Sequence, residues 1–450
     1  MENRDCVSFQ TIKKMLKRLL IFILFPFAIN AQEVYTLKRC LEIGLENNYD
    51  IRMIRNNQQI ADNNATVGNA GYLPSVNLGA GYSGTVKNIK QNLTDGTTVS
   101  YDNIHNPTTN VGVNLEWTVF DGFQIQTKYE KLKEFRQAGE LNTRLTIEDF
   151  IAKLSAEYYN YIRQKLRLGN LKYAVSLSKE RLRIVEARYS IGSMSRLDLQ
   201  QARVDFNADS SKLIKQYEAV HGSCIRLNEL MALDEIARPM VVSDSLIEYN
   251  PLLNAQTVWE NMLRSNFLLL LSEKEIRISE LDYKSIQSRN YPYLKLNAGY
   301  GYTLNAYNRG NYDKQQTLGF NYGLTLGFTV FDGFNRKREQ KNARLQTENM
   351  RLSHKSTELM LKAQLSNIWM AYKNNMELTN LEKENLATAK DNYEIAIERY
   401  KLGDLSGIEL REAQNSLLEA EERLLEARYN TKLCEISLLQ ISGEISEYLK

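Results

Sequence analysis

Two hydrophobic spacings alternate along this chain. Val76, Leu78, Ala80 and Tyr82 interleave with Asn77, Gly79, Gly81 and Ser83, and Val111, Val113, Leu115, Trp117 and Val119 interleave with Asn110, Gly112, Asn114, Glu116 and Thr118. The same alternation returns over Leu294–Leu304 and Leu318–Phe328. A period of two predicts strands, each with one greasy, aromatic face and one small, polar, glycine-rich face. Strands over about 73–87, 108–120, 292–304 and 317–331 follow, with polar loops at 88–107 and 305–316 joining each pair.

Elsewhere the apolar period is three to four. Ile151, Leu154, Tyr158 and Tyr161, then Leu168, Leu171, Val175, Ser178, Leu182, Val185 and Tyr189, trace one helical seam. Trp369 and Tyr372, then Leu386, Ala389, Tyr393, Ala396 and Tyr400, trace another. This is a coiled-coil-like pattern sustained over several heptads. Residues 108–238 and 293–450 contain no proline, which suits very long helices, since one interior proline costs about 3 kcal/mol. Phe123–Ile191 and Phe334–Leu402 span 69 residues each, roughly 100 Å of helix at 1.5 Å per residue.

The two patterns recur because the chain is duplicated. Pro74–Tyr82 returns 218 residues later as Pro292–Tyr300. Thr118-Val119-Phe120-Asp121-Gly122-Phe123 returns 211 residues later, letter for letter, as Thr329-Val330-Phe331-Asp332-Gly333-Phe334. Arg188-Tyr189-Ser190-Ile191-Gly192 returns, also at 211, as Arg399-Tyr400-Lys401-Leu402-Gly403. The period far exceeds that of solenoid repeats. Seven residues are missing from the second copy between the first and second blocks, placed by this reading in its loop. The repeats are set at 32–255 and 256–450, with a midpoint insertion at 232–255 marked by Pro239 and Pro251.

Residues 1–31 read as a signal peptide: basic Lys13, Lys14, Lys17 and Arg18, an apolar run Leu19–Phe27 too short to span a bilayer, and a small-residue end at Ala31. Met15 is a second candidate start. Cleavage removes five Lys/Arg and two Asp/Glu from totals of 57 and 54, leaving 52 of each. A mature chain with no net charge argues against nucleic acid as a partner. Cys40, Cys224 and Cys434 remain, an odd number without metal-site spacing; they read as isolated buried thiols, with a Cys40–Cys434 pairing as the alternative.

On an exported protein, four amphipathic strands match lipid-out, water-in strands of a membrane barrel. Four strands cannot close a barrel around water, and an open edge is forbidden in lipid. The chain must oligomerise, and three copies would supply twelve strands. Enzyme readings find no support. His105, His221 and His354 lie far apart, and no GxSxG, P-loop or HExxH is present. No catalytic, cofactor or metal residue is assigned.

The order of these blocks resembles the TolC family of outer-membrane efflux proteins. Leu45-Glu46-Asn47-Asn48-Tyr49, echoed by Leu263-Arg264-Ser265-Asn266-Phe267, resembles that family's start-of-repeat motif. The resemblance implies a mainly α fold with a membrane β-barrel: a homotrimer whose twelve-stranded barrel sits in outer-membrane lipid and continues as an α-helical tunnel across the periplasm. It also implies a periplasmic adaptor and an inner-membrane efflux pump or ABC exporter as partners. The Tyr-x-x-Gly turns, with Arg188, Tyr189 and Gly192 and with Arg399, Tyr400 and Gly403, would form periplasmic tips that dock the adaptor. Phe120, Asp121, Gly122 and Phe331, Asp332, Gly333 would mark strand-to-helix junctions. Glu409 and Glu412, six and nine residues after Gly403, match the family's acidic gate rings, with glutamate where aspartate is usual; crowding of the carboxylates would push some of their pKa values upward. Asp198 matches an acidic partner in the tip-closing links, but Leu405 stands where its basic partner is expected.

The implied function is a passive exit duct for drugs, toxins, metal ions or a secreted protein. A trimeric coiled-coil adhesin with a barrel anchor is the alternative from another class. Adhesins of that kind keep one strand block at the C-terminus, whereas this chain has two internal blocks. A general porin is the other alternative, and porins lack such helices.

Overall fold

The computed structural model describes residues 34–308 and 313–449; the signal peptide expected at 1–31 lies outside them. In chain order the elements are β1 (Val34–Tyr35), α1 (Leu37–Asn47), α2 (Tyr49–Asn64), α3 (Val67–Ala70), β2 (Ser75–Asn92) and β3 (Thr98–Phe120). There follow α4 (Gln124–Ser190), α5 (Arg196–Leu230), β4 (Val241–Val242), α6 (Ala255–Ser265) and α7 (Phe267–Ser288). The last are β5 (Tyr293–Ala306), β6 (Lys314–Gly327), α8 (Asn335–Leu402), α9 (Gly407–Ser442) and a short 3₁₀ turn, Ile445–Leu449. No helix among the described residues is long and apolar enough to cross a membrane.

The duplication is visible element by element. Helices α4 and α8 run unbroken for 67 and 68 residues, and each is preceded by a hairpin. The start-of-repeat motifs are helix breaks. Asn48 between α1 and α2, and Asn266 between α6 and α7, each accept two backbone N–H bonds through the side chain, from Asp50 and Ile51 and from Leu268 and Leu269. Each caps the next helix, as asparagine at this position does well.

The chain forms two compact units. One comprises residues up to Ile43, Glu157–Glu248 and Glu382–Tyr429. Its core holds Val185, Leu199, Tyr393, Tyr400, Leu410 and Leu417. Here the seam residues behave as expected except Tyr189, which is 42% exposed. This unit also holds a contact not legible in the sequence: β1 pairs in parallel with β4 inside the midpoint insertion, and Tyr161 donates to the Met240 carbonyl at 2.8 Å. Cys40 and Cys224 are buried and Cys434 half-buried, and none of the three is in a disulfide, so the alternative Cys40–Cys434 pairing is not formed.

The second unit comprises Gly44–Ala156, Tyr249–Leu381 and Asn430–Lys450. It holds a single antiparallel sheet in the order β2-β3-β5-β6. The register aligns the two faces across all four strands. Leu78, Val113, Tyr300 and Phe320 form one row, and Ala80, Val111, Tyr302 and Leu318 the next. On the other face run Asn77, Asn114, Gly299 and Asn321, then the glycines 79, 112, 301 and 319. Among the described residues nothing covers the apolar face: Leu78, Phe320 and Tyr322 are 78%, 64% and 80% exposed. So large an uncovered apolar surface marks an interaction with lipid or protein.

The hairpins differ from expectation in reach. Strands β2 and β3 are 18 and 23 residues long, and β5 and β6 are 14 each. Most of the expected loop 88–107 is therefore paired strand, with Leu93 and Thr97 closing a tight turn. The deficit of the second copy lies in its shorter strands rather than in an unpaired loop. Pairing overrides the polar composition there because side chains on a two-stranded ribbon can stay hydrated while the backbone bonds are made. Strand β6 ends at Gly327, short of the expected 331, because Gly327 pairs with Tyr293, where its partner β5 begins.

Candidate functional site

The duplicated Arg-Tyr-x-x-Gly blocks end the long helices α4 and α8, both within the first unit. Gly192 and Gly403 adopt φ of 80° and 88°. In each turn the glycine N–H bonds to the tyrosine carbonyl at 3.0 Å, and the next residue's N–H bonds to the arginine carbonyl, at 2.9 Å for Ser193 and 3.0 Å for Asp404. This is the two-bond helix stop that requires a left-handed residue and so favours glycine.

The paired arginines then diverge. Arg399 stays local, donating to the carboxylate and carbonyl of Asp404. Arg188 reaches across to the other copy, donating to the Tyr400 and Lys401 carbonyls at 2.9 and 2.8 Å, and its guanidinium sits 5.3 Å from the Tyr400 ring centre. It thereby gives the Tyr400 carbonyl a second donor beside Gly403 N–H, supplies one to the Lys401 carbonyl, and ties the two turns together.

The three predicted acidic gate residues have distinct surroundings. Asp198 and Glu409, each six residues after a turn glycine, are equivalent in the two repeats. Both sit in reciprocal caps. Ser195 N–H donates to Asp198 at 3.1 Å while Ser195 Oγ accepts from Asp198 N–H. Ser406 N–H donates to Glu409 at 2.9 Å while Ser406 Oγ accepts from Glu409 N–H. Within one chain, the side-chain and backbone hydrogen bonds of Ser406 hold Glu409 below the ordinary glutamate range. Ser-x-x-Asp and Ser-x-x-Glu are legible as capping boxes, so here the acid first serves its own helix start. Asp198, Glu412 and Tyr400 line one cavity of about 420 Å³, together with Arg181 and Arg411; Glu409 is not in its lining.

Beside that cavity lies a buried polar layer that the sequence reading did not single out. Asp209, 1% exposed, accepts from Arg411 Nη1 and Nη2 at 2.7 and 3.1 Å and from the Ser178 hydroxyl. Gln414 donates to Ser178 at 3.1 Å, and Arg181 pairs with Asp205. Burial pushes Asp209 upward, but hydrogen bonds from Arg411 and Ser178 outweigh it and leave its pKa below the usual aspartate value. The layer joins α4, α5 and α9. No spacing rule announces it, because its members come from three distant segments.

The strand-to-helix junctions lie in the second unit. Gly122 and Phe123, and likewise Gly333 and Phe334, all have positive φ, between 63° and 71°. The aspartate of each motif caps the helix that follows: Asp121 accepts from Ile125 N–H at 3.1 Å, and Asp332 from Arg336 N–H at 3.0 Å. Phe120 packs edge-on to Phe123, and Phe331 edge-on to Phe334. Among the described residues no group of three or more His, Cys, Asp or Glu could hold a metal ion.

Comparison with known proteins places these features in context. The family model described as outer membrane efflux protein matches residues 41–233 and 258–444. The chain is 19% identical to the outer membrane efflux protein BepC of Brucella suis over 420 residues, covering 91% of this chain and 86% of that protein. It is 20% identical to the outer membrane protein TolC of Vibrio cholerae over 428 residues, covering 94% and 92%. Among solved structures, the Campylobacter jejuni CmeC outer membrane channel matches with a TM-score of 0.77 at 17% identity, covering 91% of this chain and 85% of that one. The open state of the Neisseria gonorrhoeae MtrE outer membrane channel matches with a TM-score of 0.72 at 15% identity, covering 90% and 88%.

Proposed function

Because this chain belongs to the outer membrane efflux protein family, we propose that it is the passive outer-membrane exit duct of a tripartite efflux or type I secretion system. It assembles as a homotrimer and receives its cargo from an inner-membrane pump or ABC exporter through a periplasmic adaptor. The observation that carries this reading is the β2-β3-β5-β6 sheet, with an uncovered apolar face and two unpaired edges. Such edges are untenable in lipid until other copies pair with them. The energy for transport is assigned to the partner pump.

Adaptor docking is assigned to the turns at Gly192 and Gly403. No atom lies within 4 Å of a Cβ added at either glycine, so Gly192→Val and Gly403→Val disturb only the left-handed backbone, at about 1–2 kcal/mol each. Export by cells carrying either variant is expected to collapse, while the amount of protein in the outer membrane and its mass by light scattering stay at three chains. Full export by both variants would move docking elsewhere, and a monomeric particle would overturn the trimeric duct itself.

Glu409 and Glu412 are assigned to the periplasmic constriction. Three-fold repetition makes six carboxylates there, which attract cations. In planar bilayers the Glu409→Ala/Glu412→Ala variant is expected to lose cation selectivity and block by di- and trivalent ions. Unchanged selectivity and block would reassign the gate to Asp198.

A further inference from the structure

The second unit contains a cavity of about 410 Å³ far in sequence from the turns. Glu148 of α4 lines it and is 5% exposed. Among the described residues nothing donates a hydrogen bond to the Glu148 carboxylate or pairs with it. A buried ionised carboxylate without a partner is costly. Burial, with the neighbouring Asp149 adding to it, raises its pKa to about 7. Around it, Gln364 and Asn367, both exposed, and the half-buried Ser437 also line the cavity, so its mouth is polar and open to solvent. No Lys, Arg or His is in the lining.

The chemistry narrows further. Asp149 is the only other charged group in the lining, and it already accepts from Gln440 at 2.7 Å. Consecutive helical residues diverge by about 100°, so the two carboxylates are poorly placed to grip one ion. A single free carboxylate is too little anionic oxygen for a divalent metal, which takes six or more oxygen ligands. The apolar part of the wall is Leu145, Leu268, Leu361, Ile368 and Ile441, five of the twelve lining residues. A volume of this size is in the range of small-molecule sites.

From this we infer that the cavity is a binding site for an organic monocation with an apolar body, its charge met by Glu148 and its body by the leucine and isoleucine wall. The site is separate from the docking turns and from the acidic constriction, and it stands whether or not those assignments hold.

The test uses the full-length protein in detergent and two planar probes, permanently charged ethidium and its uncharged core phenanthridine. Ethidium anisotropy is expected to rise saturably with protein, and phenanthridine to bind at least about tenfold more weakly. Glu148→Gln keeps the side-chain shape and should weaken ethidium at least about tenfold. Ser437→Trp leaves the carboxylate in place and fills the cavity, so it should abolish binding by bulk alone and serves if the first variant misfolds. The inference is overturned if wild-type protein shows no saturable ethidium binding at about 1 mM, if Glu148→Gln binds as wild type does, or if phenanthridine binds equally well.

Discussion

Replacing Arg411 by alanine is expected to loosen the packing of α5 and α9 by about 3–5 kcal/mol, because it strips the guanidinium from a carboxylate that stays buried. Asp209 keeps the Ser178 hydroxyl and, at 3.7 Å, the largely exposed Lys212. Neither replaces two charge-assisted bonds at 2.7 and 3.1 Å. Hydrogen exchange in α5 and α9 of the purified protein measures the loss, and protection should fall at least about a hundredfold.

The pH dependence gives this prediction a sign. In the wild type Asp209 has a lowered pKa, so its contribution is present above the unfolded aspartate value and is lost as pH falls through the folded one. In Arg411→Ala the bare carboxylate should titrate higher, and the deficit should shrink as pH is lowered toward the ordinary aspartate range. The apolar double variant Arg411→Met/Asp209→Leu should recover most of the stability, since replacing a buried pair is far cheaper than orphaning one member. A single variant as well protected as wild type would show that water reaches Asp209 and that the layer is solvated.

Gly122→Val is expected to be as damaging at the sheet-to-helix junction, and far worse than the same change in the identical motif of the second copy. A Cβ on Gly122 would lie 2.2 Å from the Ser288 carbonyl oxygen and 2.8 Å from Tyr291 Cβ. The backbone of α7's last turn cannot yield that much, and φ is already left-handed. Around Gly333 the nearest atom is Asn335 Nδ2 at 3.6 Å, so only the backbone penalty of about 1–2 kcal/mol applies. Folded protein recovered from outer membranes should almost vanish for Gly122→Val and be reduced modestly for Gly333→Val. Equal recovery of the two would mean that the end of α7 moves aside freely.

This asymmetry separates what repeats in the sequence from what repeats in space. Phe-Asp-Gly-Phe is written identically twice, and in both places it builds two left-handed residues and an aspartate cap, because those depend on local backbone chemistry. Whether the glycine is crowded depends on which helix end passes by, and that is a long-range fact. The arginines of the turn motif divide in the same way. Arg188 and Arg399 are equivalent in sequence, yet one bridges the two copies and the other closes on Asp404.

The sequence by itself determined the elements and their pairing in kind: long helices from the three-to-four spacing and the missing prolines, amphipathic strands from the alternation, and glycine-stopped turns from the duplicated blocks. These are legible because periodicity and helix-stop chemistry act over a few residues. It also held the capping boxes Ser195–Asp198 and Ser406–Glu409, which a gate reading of the acids passed over. The tertiary structure decided the rest: how far the hairpins stay paired, the β1–β4 pair, the uncovered sheet face in register, and the meeting of Ser178, Asp209 and Arg411. Each of these joins residues tens to hundreds of positions apart, and burial, not spacing, turns an ordinary aspartate or glutamate into Asp209 or Glu148.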